Sequence, residues 1–349
     1  MRVTVASDVL GTLSSAEAGR VIASGWPAAQ VRVLPGGAAG RGFLRAFGDL
    51  VDAEVVTTVG ERVVVTTVRS SGEAALHVES TEPRAPGVPL AASSAAVGVA
   101  LAELLVERPG RVHVDLAGLA VFDGGAGMLA ALGARADVPL DDGVAGLTGL
   151  TRLDLEPART LLGGTELVGV VPAAELAAPL LGLRGITSLH GRASGLDPEA
   201  LLRTDADLGR LAGLALGQRV DLPGAGACGG TGLAVLALGG RLSSGPDVSW
   251  ATMPSGPVAD LVVTGCSVFD FATRGGEVVG AAAARAGAAL APCVVVAGQV
   301  LIGGREMRTL GIEAGYPVRD SAADVPAGGD VEPDELAALV RRVGRSWTW

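Results

Sequence analysis

One stretch changes its pattern in a way few folds accommodate. From His113 to Phe122 the chain is almost wholly apolar; it then breaks at Asp123-Gly124-Gly125 and resumes as Ala126-Gly-Met-Leu-Ala-Ala-Leu-Gly133. This reads as a buried strand, a turn and the start of a helix, the unit from which parallel α/β sheets are built. A carboxylate on such a turn puts backbone N–H groups beside a metal-capable oxygen, which suits phosphate. The same grammar recurs at the start of the chain. Residues 3–6 and 31–34 are short apolar strands, and between them Ser14-Ser-Ala-Glu17 is a capping box opening a helix. Strand, helix and strand make a βαβ unit with its loops at the strand carboxyl ends. The grammar returns late, where 260–264 is a strand running into Gly265-Cys-Ser-Val-Phe-Asp270, followed by an Ala-rich helix over 280–290 and a buried strand over 292–297. Residues 334–343 form a terminal helix with an acidic start and a basic finish. The closing Ser346-Trp-Thr-Trp349 fits either an exposed tail or a docking hook.

The middle of the chain reads differently. Val55-Val-Thr-Thr-Val59 and Arg62-Val-Val-Val-Thr-Thr-Val68 are β-branched runs punctuated by Gly60 and Ser71-Gly72, which predicts antiparallel hairpins in a second domain. Residues 81–89 look like a return linker, Ser93-Ser94 a helix cap for 95–106, and 198–216 a helix. The fold class expected is α/β: a Rossmann-like doubly wound domain with a second α/β domain inserted into it. The doubly wound domain takes residues 1–50, 91–135 and 256–349, and the inserted domain takes 51–90 and 136–255.

Composition narrows the chemistry. A chain of 349 residues exceeds what one core usually supports. With 3% aromatics against 49% hydrophobic residues, the core is built from Val, Leu and Ala. A net charge of -10 argues against a nucleic-acid backbone or an anionic membrane as partner. All 27 basic residues are Arg, so no mechanism here uses a lysine ammonium, and a Walker A loop is excluded. Cys228, Cys266 and Cys293 are too scattered for a disulfide framework or a zinc site, which with a first strand that opens at residue 3 predicts a cytoplasmic protein. The apolar run 287–304 is interrupted by Pro292 and Gln299 and reads as two short buried segments. Gly224-Ala-Gly226-Ala-Cys-Gly229 has the spacing of a dinucleotide fingerprint but follows Pro223, so close packing through glycines is the better reading. The histidines His77, His113 and His190 are scattered, His113 reading as an ordinary core histidine. Carboxylates at strand ends, Asp8, Asp123 and Asp270, are the recurring polar theme, where doubly wound sheets place ligands.

These residues also carry a resemblance. Ala6-Ser7-Asp8-Val-Leu-Gly-Thr-Leu-Ser14, Gly118-Leu-Ala-Val-Phe-Asp123-Gly-Gly-Ala-Gly-Met-Leu129, the segment 222–230 and the segment 259–273 match, in order, four motifs of the class I glycerate kinase family. The resemblance covers nearly the whole chain. It implies ATP-dependent phosphorylation of D-glycerate with Mg2+, a small hydroxy acid and a nucleotide being the molecules bound. Carried onto this sequence, it implies Asp8, Asp123 and Asp270 as site carboxylates. Gly36, Gly37, Gly124, Gly125 and Gly265 would shape phosphate-side turns. Ser93, Ser94, Arg192, Thr273 and Arg274 would contribute to substrate or nucleotide binding; the metal ligands are left unassigned.

The departures have a direction. The family's Lys after the first strand is deleted, and its Ser, Thr and Asn before Asp123 are Leu119, Val121 and Phe122. Cys266 and Ser267 stand where the family has Glu and Gly, and Ala272 replaces a Gln. Fold-shaping glycines are kept while polar side chains are lost. Phosphoryl transfer rests on positioning and on cations that neutralise spreading charge. Two expectations compete: a working kinase with a remodelled site, and a non-catalytic member that binds a ligand or partner. The direction of the losses favours the second.

Overall fold

The computed structural model describes residues 1–82, 87–217, 222–254, 259–319 and 331–349; part of the linker expected over 81–89 lies outside them. The chain begins with β1 (Arg2–Ser7), α1 (Ser15–Ala23), β2 (Gln30–Pro35) and α2 (Arg41–Val51). It continues through β3 (Val55–Val59), β4 (Val63–Arg69), β5 (Glu73–Ser80), α3 (Ala95–Leu105), β6 (Arg111–Asp115) and α4 (Ala126–Ala131). A small ladder of β7 (Arg135–Ala136) and β8 (Leu153–Asp154) precedes α5 (Glu156–Leu162), β9 (Glu166–Val170), α6 (Ile186–His190) and α7 (Pro198–Leu216). Then come α8 (Thr231–Ala237), β10 (Arg241–Ser243), α9 (Gly245–Ala251), β11 (Leu261–Phe269) and α10 (Gly276–Ala288). The last elements are β12 (Cys293–Val300), α11 (Gly304–Thr309), β13 (Ala314–Pro317) and α12 (Pro333–Ser346).

Two compact units result, and α2 is divided between them. The first comprises Met1–Ala38, Arg45–Asp52 and Gly245–Trp349; the second comprises Ala39–Leu44 and Ala53–Ser244. The sheet of unit 1 has the order β13-β12-β11-β1-β2, with every pair parallel. Counted along the unit this is 2-1-3-4-5, so the chain leaves β1 toward one edge and re-enters on the other side of β1 at β11. That reversal is the switch point at which doubly wound sheets open a crevice beyond their strand carboxyl ends.

Alternation along the strands explains why both faces are covered. Leu261 and Val263 of β11 pack with Ile22, Trp26, Leu336 and Val340 from α1, its following turn and α12, while Val262 packs on the α10 side with Ala282 and Ala286. At the start of α1 the Ser14 hydroxyl accepts the Glu17 amide at 3.2 Å, and the Glu17 carboxylate accepts the Ser14 amide at 2.8 Å. Ser14→Ala is expected to cost about 1 kcal/mol in chemical unfolding. The C-terminal segment docks. The Trp26 indole N–H donates to the Trp347 carbonyl at 3.2 Å, and the Trp347 indole N–H donates to the Tyr316 hydroxyl at 2.7 Å. Trp347→Ala removes partly buried ring area and this last bond, and should destabilise unit 1 by about 2 kcal/mol in tryptophan-monitored urea melts.

Unit 2 is built on the order β10-β9-β6-β5-β4-β3. The β-branched runs form antiparallel hairpins, β3 on β4 and β4 on β5, and the remaining pairs are parallel. Three of the expected boundaries are corrected: α9, expected in the inserted domain, belongs to unit 1, and residues 39–44, expected in the doubly wound domain, belong to unit 2. Residues 91–135, expected in the doubly wound domain, supply α3, β6 and α4 to unit 2, because β6 pairs with β5 on one side and β9 on the other. The strand of the opening stretch is also shorter than expected, ending at Asp115 and leaving 116–125 as a loop. Among the described residues no helix is long and apolar enough to cross a membrane. The run 287–304 becomes the end of α10, strand β12 and the start of α11.

Candidate functional site

At the switch point of unit 1 the ends of β1 and β11 are laced together. The Asp8 amide donates to the Gly265 carbonyl at 2.9 Å, and the Gly36 amide donates to the Ser7 carbonyl at 2.9 Å. Gly265 is required by this close approach, since a Cβ there would stand 2.5 Å from the Ser7 hydroxyl oxygen. Gly36 and Gly37 are buried in the turn that follows β2. The Asp8 carboxylate accepts the Val9 amide through Oδ1 at 2.7 Å. Its Oδ2 lies 3.7 Å from where a Cβ of Gly276, the first residue of α10, would stand. Burial raises the Asp8 carboxyl above the ordinary carboxylate range, against the pull of the Val9 amide. A half-buried carboxylate therefore sits at the positive end of a 13-residue helix.

The turn from β11 into α10 holds the other expected groups. Asp270 Oδ1 accepts the Thr273 amide at 2.7 Å and the Thr273 hydroxyl at 2.8 Å, and these bonds hold its carboxyl below the usual range. Asp270 and Thr273 thus brace the turn against each other. Arg274 is exposed beside them with φ +52°. Cys266, at the family's Glu position, is buried, and burial pushes its thiol up to about 12, so it is no nucleophile at neutral pH.

Asp123 belongs to unit 2, and the structure places it apart from solvent. Its Oδ2 accepts the Ser94 amide and hydroxyl, each at 2.8 Å, and the Gly127 amide at 3.2 Å; Oδ1 accepts the Gly125 amide at 2.9 Å. It is fully buried, and burial pushes its carboxyl upward against those four hydrogen bonds. The Ser94 hydroxyl also accepts the Met128 amide at 2.9 Å, so it ties the starts of α3 and α4 together instead of capping its own helix. Gly124 and Gly125 lead into α4 with positive φ, and the Gly124 amide donates to the Gly229 carbonyl at 3.3 Å. Gly229, from the fingerprint-like segment, meets the Val121 carbonyl so closely that a Cβ there would overlap it. The glycines of that segment serve backbone packing. Arg192 is exposed just beyond α6.

A cavity of about 1050 Å³ opens in unit 2 at the carboxyl ends of β5 and β6. Ser93, Leu119 and Val121 line it together with His77, Glu79, Arg62 and Glu82. His77 and Asp115 are partners in the parallel register of the two strands. His77 Nδ1 stands 3.4 Å from Asp115 Oδ1, and its Nε2 stands 3.7 Å from Glu79 Oε2. Asp115, fully buried, accepts the Gly40 amide at 2.6 Å through Oδ2 and the Ala117 amide at 3.0 Å through Oδ1. The sequence carries one signal for this pair, a polar residue near the end of each of two apolar runs. His113, by contrast, is a core histidine, with Nε2 3.3 Å from Glu73 Oε2 and its ring against Phe43.

Comparison with known proteins gives this geometry a context. An uncharacterized protein of Mycobacterium tuberculosis is 33% identical, the match covering 98% of this chain and 91% of that one. A Bacillus subtilis protein named glycerate kinase is 26% identical over 99% of this chain and 97% of its own. A solved structure from Salmonella typhimurium LT2 that carries the name glycerate kinase 2 matches with a TM-score of 0.75 and 26% identity, covering 99% of this chain and 96% of that one. The model of the glycerate kinase family matches residues 3–348, with both the α/β architecture and the ordered motifs in place, and the chain belongs to that family.

Proposed function

We propose that the chain is a cytoplasmic kinase of a small hydroxy acid, with D-glycerate the first substrate to test and ATP the phosphoryl donor. The observation that carries this reading is Asp8 at the switch point of an all-parallel sheet, beside the amino end of α10. Nucleotide phosphates bind at such an edge because exposed amides and the helix dipole favour negative charge there. Arg274, exposed on the turn that leads into α10, adds a cation at that edge. Among the described residues no three His, Cys, Asp or Glu side chains converge to hold a metal. Asp8 is the carboxylate that would hold Mg2+ arriving on the phosphates, directly or through water. Bound there, the ion would neutralise phosphate charge.

A second reading has its own observation. Leu119 and Val121, apolar at positions where the family has Ser and Thr, line the cavity in a chain without lysine. That suits a member that binds ligand without turning it over. A coupled ADP-release assay with ATP, Mg2+ and D-glycerate, run beside thermal-shift titrations of each, separates the two. ADP release that depends on the hydroxy acid establishes the kinase. A thermal shift with no turnover leaves the binding protein, and neither response with D-glycerate or a panel of small hydroxy acids removes both.

A further inference from the structure

We propose that β3 is a dimer interface: its open edge pairs antiparallel with β3 of a second copy of this chain, about a two-fold axis at Thr57.

The edge is exposed and carries none of the usual defences. β3 ends the strand order of the unit 2 sheet, and among the described residues its ladder is with β4 alone. Val55, Val56, Thr57, Thr58 and Val59 are all exposed, Val59 at 72%. Sheet edges are ordinarily blunted by a charge, a proline, a bulge or a covering segment. This strand is β-branched throughout, with no charge and no proline, and its register with β4 runs unbroken from Val55↔Val68 to Val59↔Val64.

The phase of the hydrogen bonds shows which groups are offered. The Gly60 amide donates to the Val63 carbonyl at 2.8 Å, one step beyond the Val59↔Val64 pair. Bonded and non-bonded pairs alternate in an antiparallel ladder. Val56 and Thr58 therefore turn their backbone groups toward β4, while Val55, Thr57 and Val59 turn N–H and C=O to the open side.

The sequence selects the occupant. Pairing centred on Thr57 sets Thr57 against Thr57 of the second copy, Val55 against Val59, and Val56 against Thr58. All the outward residues then fall in hydrogen-bonded pairs, each exchanging two N–H···O bonds, and every cross-strand contact is between β-branched side chains. One residue of slip would set each outward residue against one whose N–H and C=O face β4. The antiparallel sense also brings the hairpin tip of one copy, Glu61-Arg62, beside the start of β3 in the other, where Asp52 and Glu54 are exposed. Arg62, its side chain 81% exposed and 3.7 Å from Glu82, supplies the cation there. A two-fold contact uses each edge once and stops at two copies. A pair of five-residue edges buries less than the ~1,600 Å² of a standard interface, so the association is transient and depends on concentration.

The test uses the full chain. Sedimentation velocity from about 1 to 100 µM should show monomer and dimer in exchange and nothing larger. Thr57→Pro removes an outward N–H that the β4 ladder does not use, a substitution that edge strands tolerate. It should keep the parent's circular dichroism and raise the dimer midpoint by about tenfold or more. Thr57→Cys tests the register, because in this pairing position 57 meets itself: hydrogen-bonded antiparallel pairs stand about 5.5 Å apart at Cα, within disulfide reach. With diamide as oxidant, Thr57→Cys should form a covalent dimer about tenfold or more faster than Val59→Cys, and than the parent, whose Cys266 and Cys293 are buried. Val59→Cys mixed with Val55→Cys should cross-link as Thr57→Cys does. A parent that stays monomeric overturns the proposal and leaves the edge to a strand of another protein. A dimer that Thr57→Pro leaves unchanged, assembly beyond two copies, or cross-linking of Val59→Cys as fast as Thr57→Cys overturns it as well. Should Thr57→Pro not fold, Thr57→Lys sets like charges opposite each other across the axis, and an unchanged dimer midpoint in that variant overturns the proposal.

Discussion

Asp123→Ala is expected to cost unit 2 about 4 kcal/mol of stability, a loss near the top of the range for single substitutions. The carboxylate collects four donors, three of them backbone amides that open α3 and α4. Without it these donors are buried with no acceptor, and each stranded group costs about 1–3 kcal/mol, partly offset because a buried charge is no longer desolvated. Asp123→Asn should lose less, about 2 kcal/mol, since one oxygen can still serve the Ser94 and Gly127 donors while the amide nitrogen opposes the Gly125 N–H. Ser94→Ala should fall near 1–2 kcal/mol, removing a hydroxyl that donates to Asp123 and accepts from Met128. The four tryptophans, Trp26, Trp250, Trp347 and Trp349, all belong to unit 1, so their emission is the wrong probe. Far-UV circular dichroism in urea and hydrogen exchange at the Gly125 and Gly127 amides report the effect. Equal stability of Asp123→Ala and the parent would remove the bracing role and return Asp123 to the candidates for direct chemistry.

The contrast between legible and illegible parts follows from range. The opening βαβ unit and the Ser14–Glu17 capping box are readable because their determinants lie within a few residues of one another. The assignment of 91–135 fails because a parallel strand carries no mark of its neighbours: β6 pairs with β5 and β9, and only register decides that. Asp123 is legible as a turn carboxylate, but its role is set by Ser94, 29 residues upstream, whose hydroxyl looked like a helix cap. His77 and Asp115 are 38 positions apart and meet because two parallel strands align them. The family's lost Ser, Thr and Asn suggested an emptied site. A strand-end histidine gives the cavity a polar group that motif comparison at the loop alone does not show.

Asp8 is the carboxylate expected to separate chemistry from folding. Asp8→Asn should lower nucleotide-dependent turnover by a hundredfold or more, about 3 kcal/mol of transition-state stabilisation, because it removes the charged oxygen that would hold the phosphate-borne Mg2+. Its stability should stay level or rise slightly at neutral pH. The sign follows from burial: the folded-state carboxyl is raised above its unfolded value, so ionising it costs folding free energy once pH climbs past the ordinary carboxylate range. Removing the charge relieves that cost at neutral pH and gains nothing below the unfolded value, where the parent residue is already protonated. The same shift sets activity. The ionised form is the one that would hold a phosphate-borne Mg2+, so the parent should lose kcat/KM on the acid side at a pH above that of an ordinary aspartate. The Asn variant should lack that limb. Paired melts and rate profiles of Asp8→Asn and Asp123→Asn thus run in opposite directions, one losing turnover and keeping its fold, the other losing stability first. If Asp8→Asn instead unfolds like Asp123→Asn, the β1 carboxylate is a brace as well, and the phosphate edge must be sought in the backbone amides around Gly36 and the start of α10.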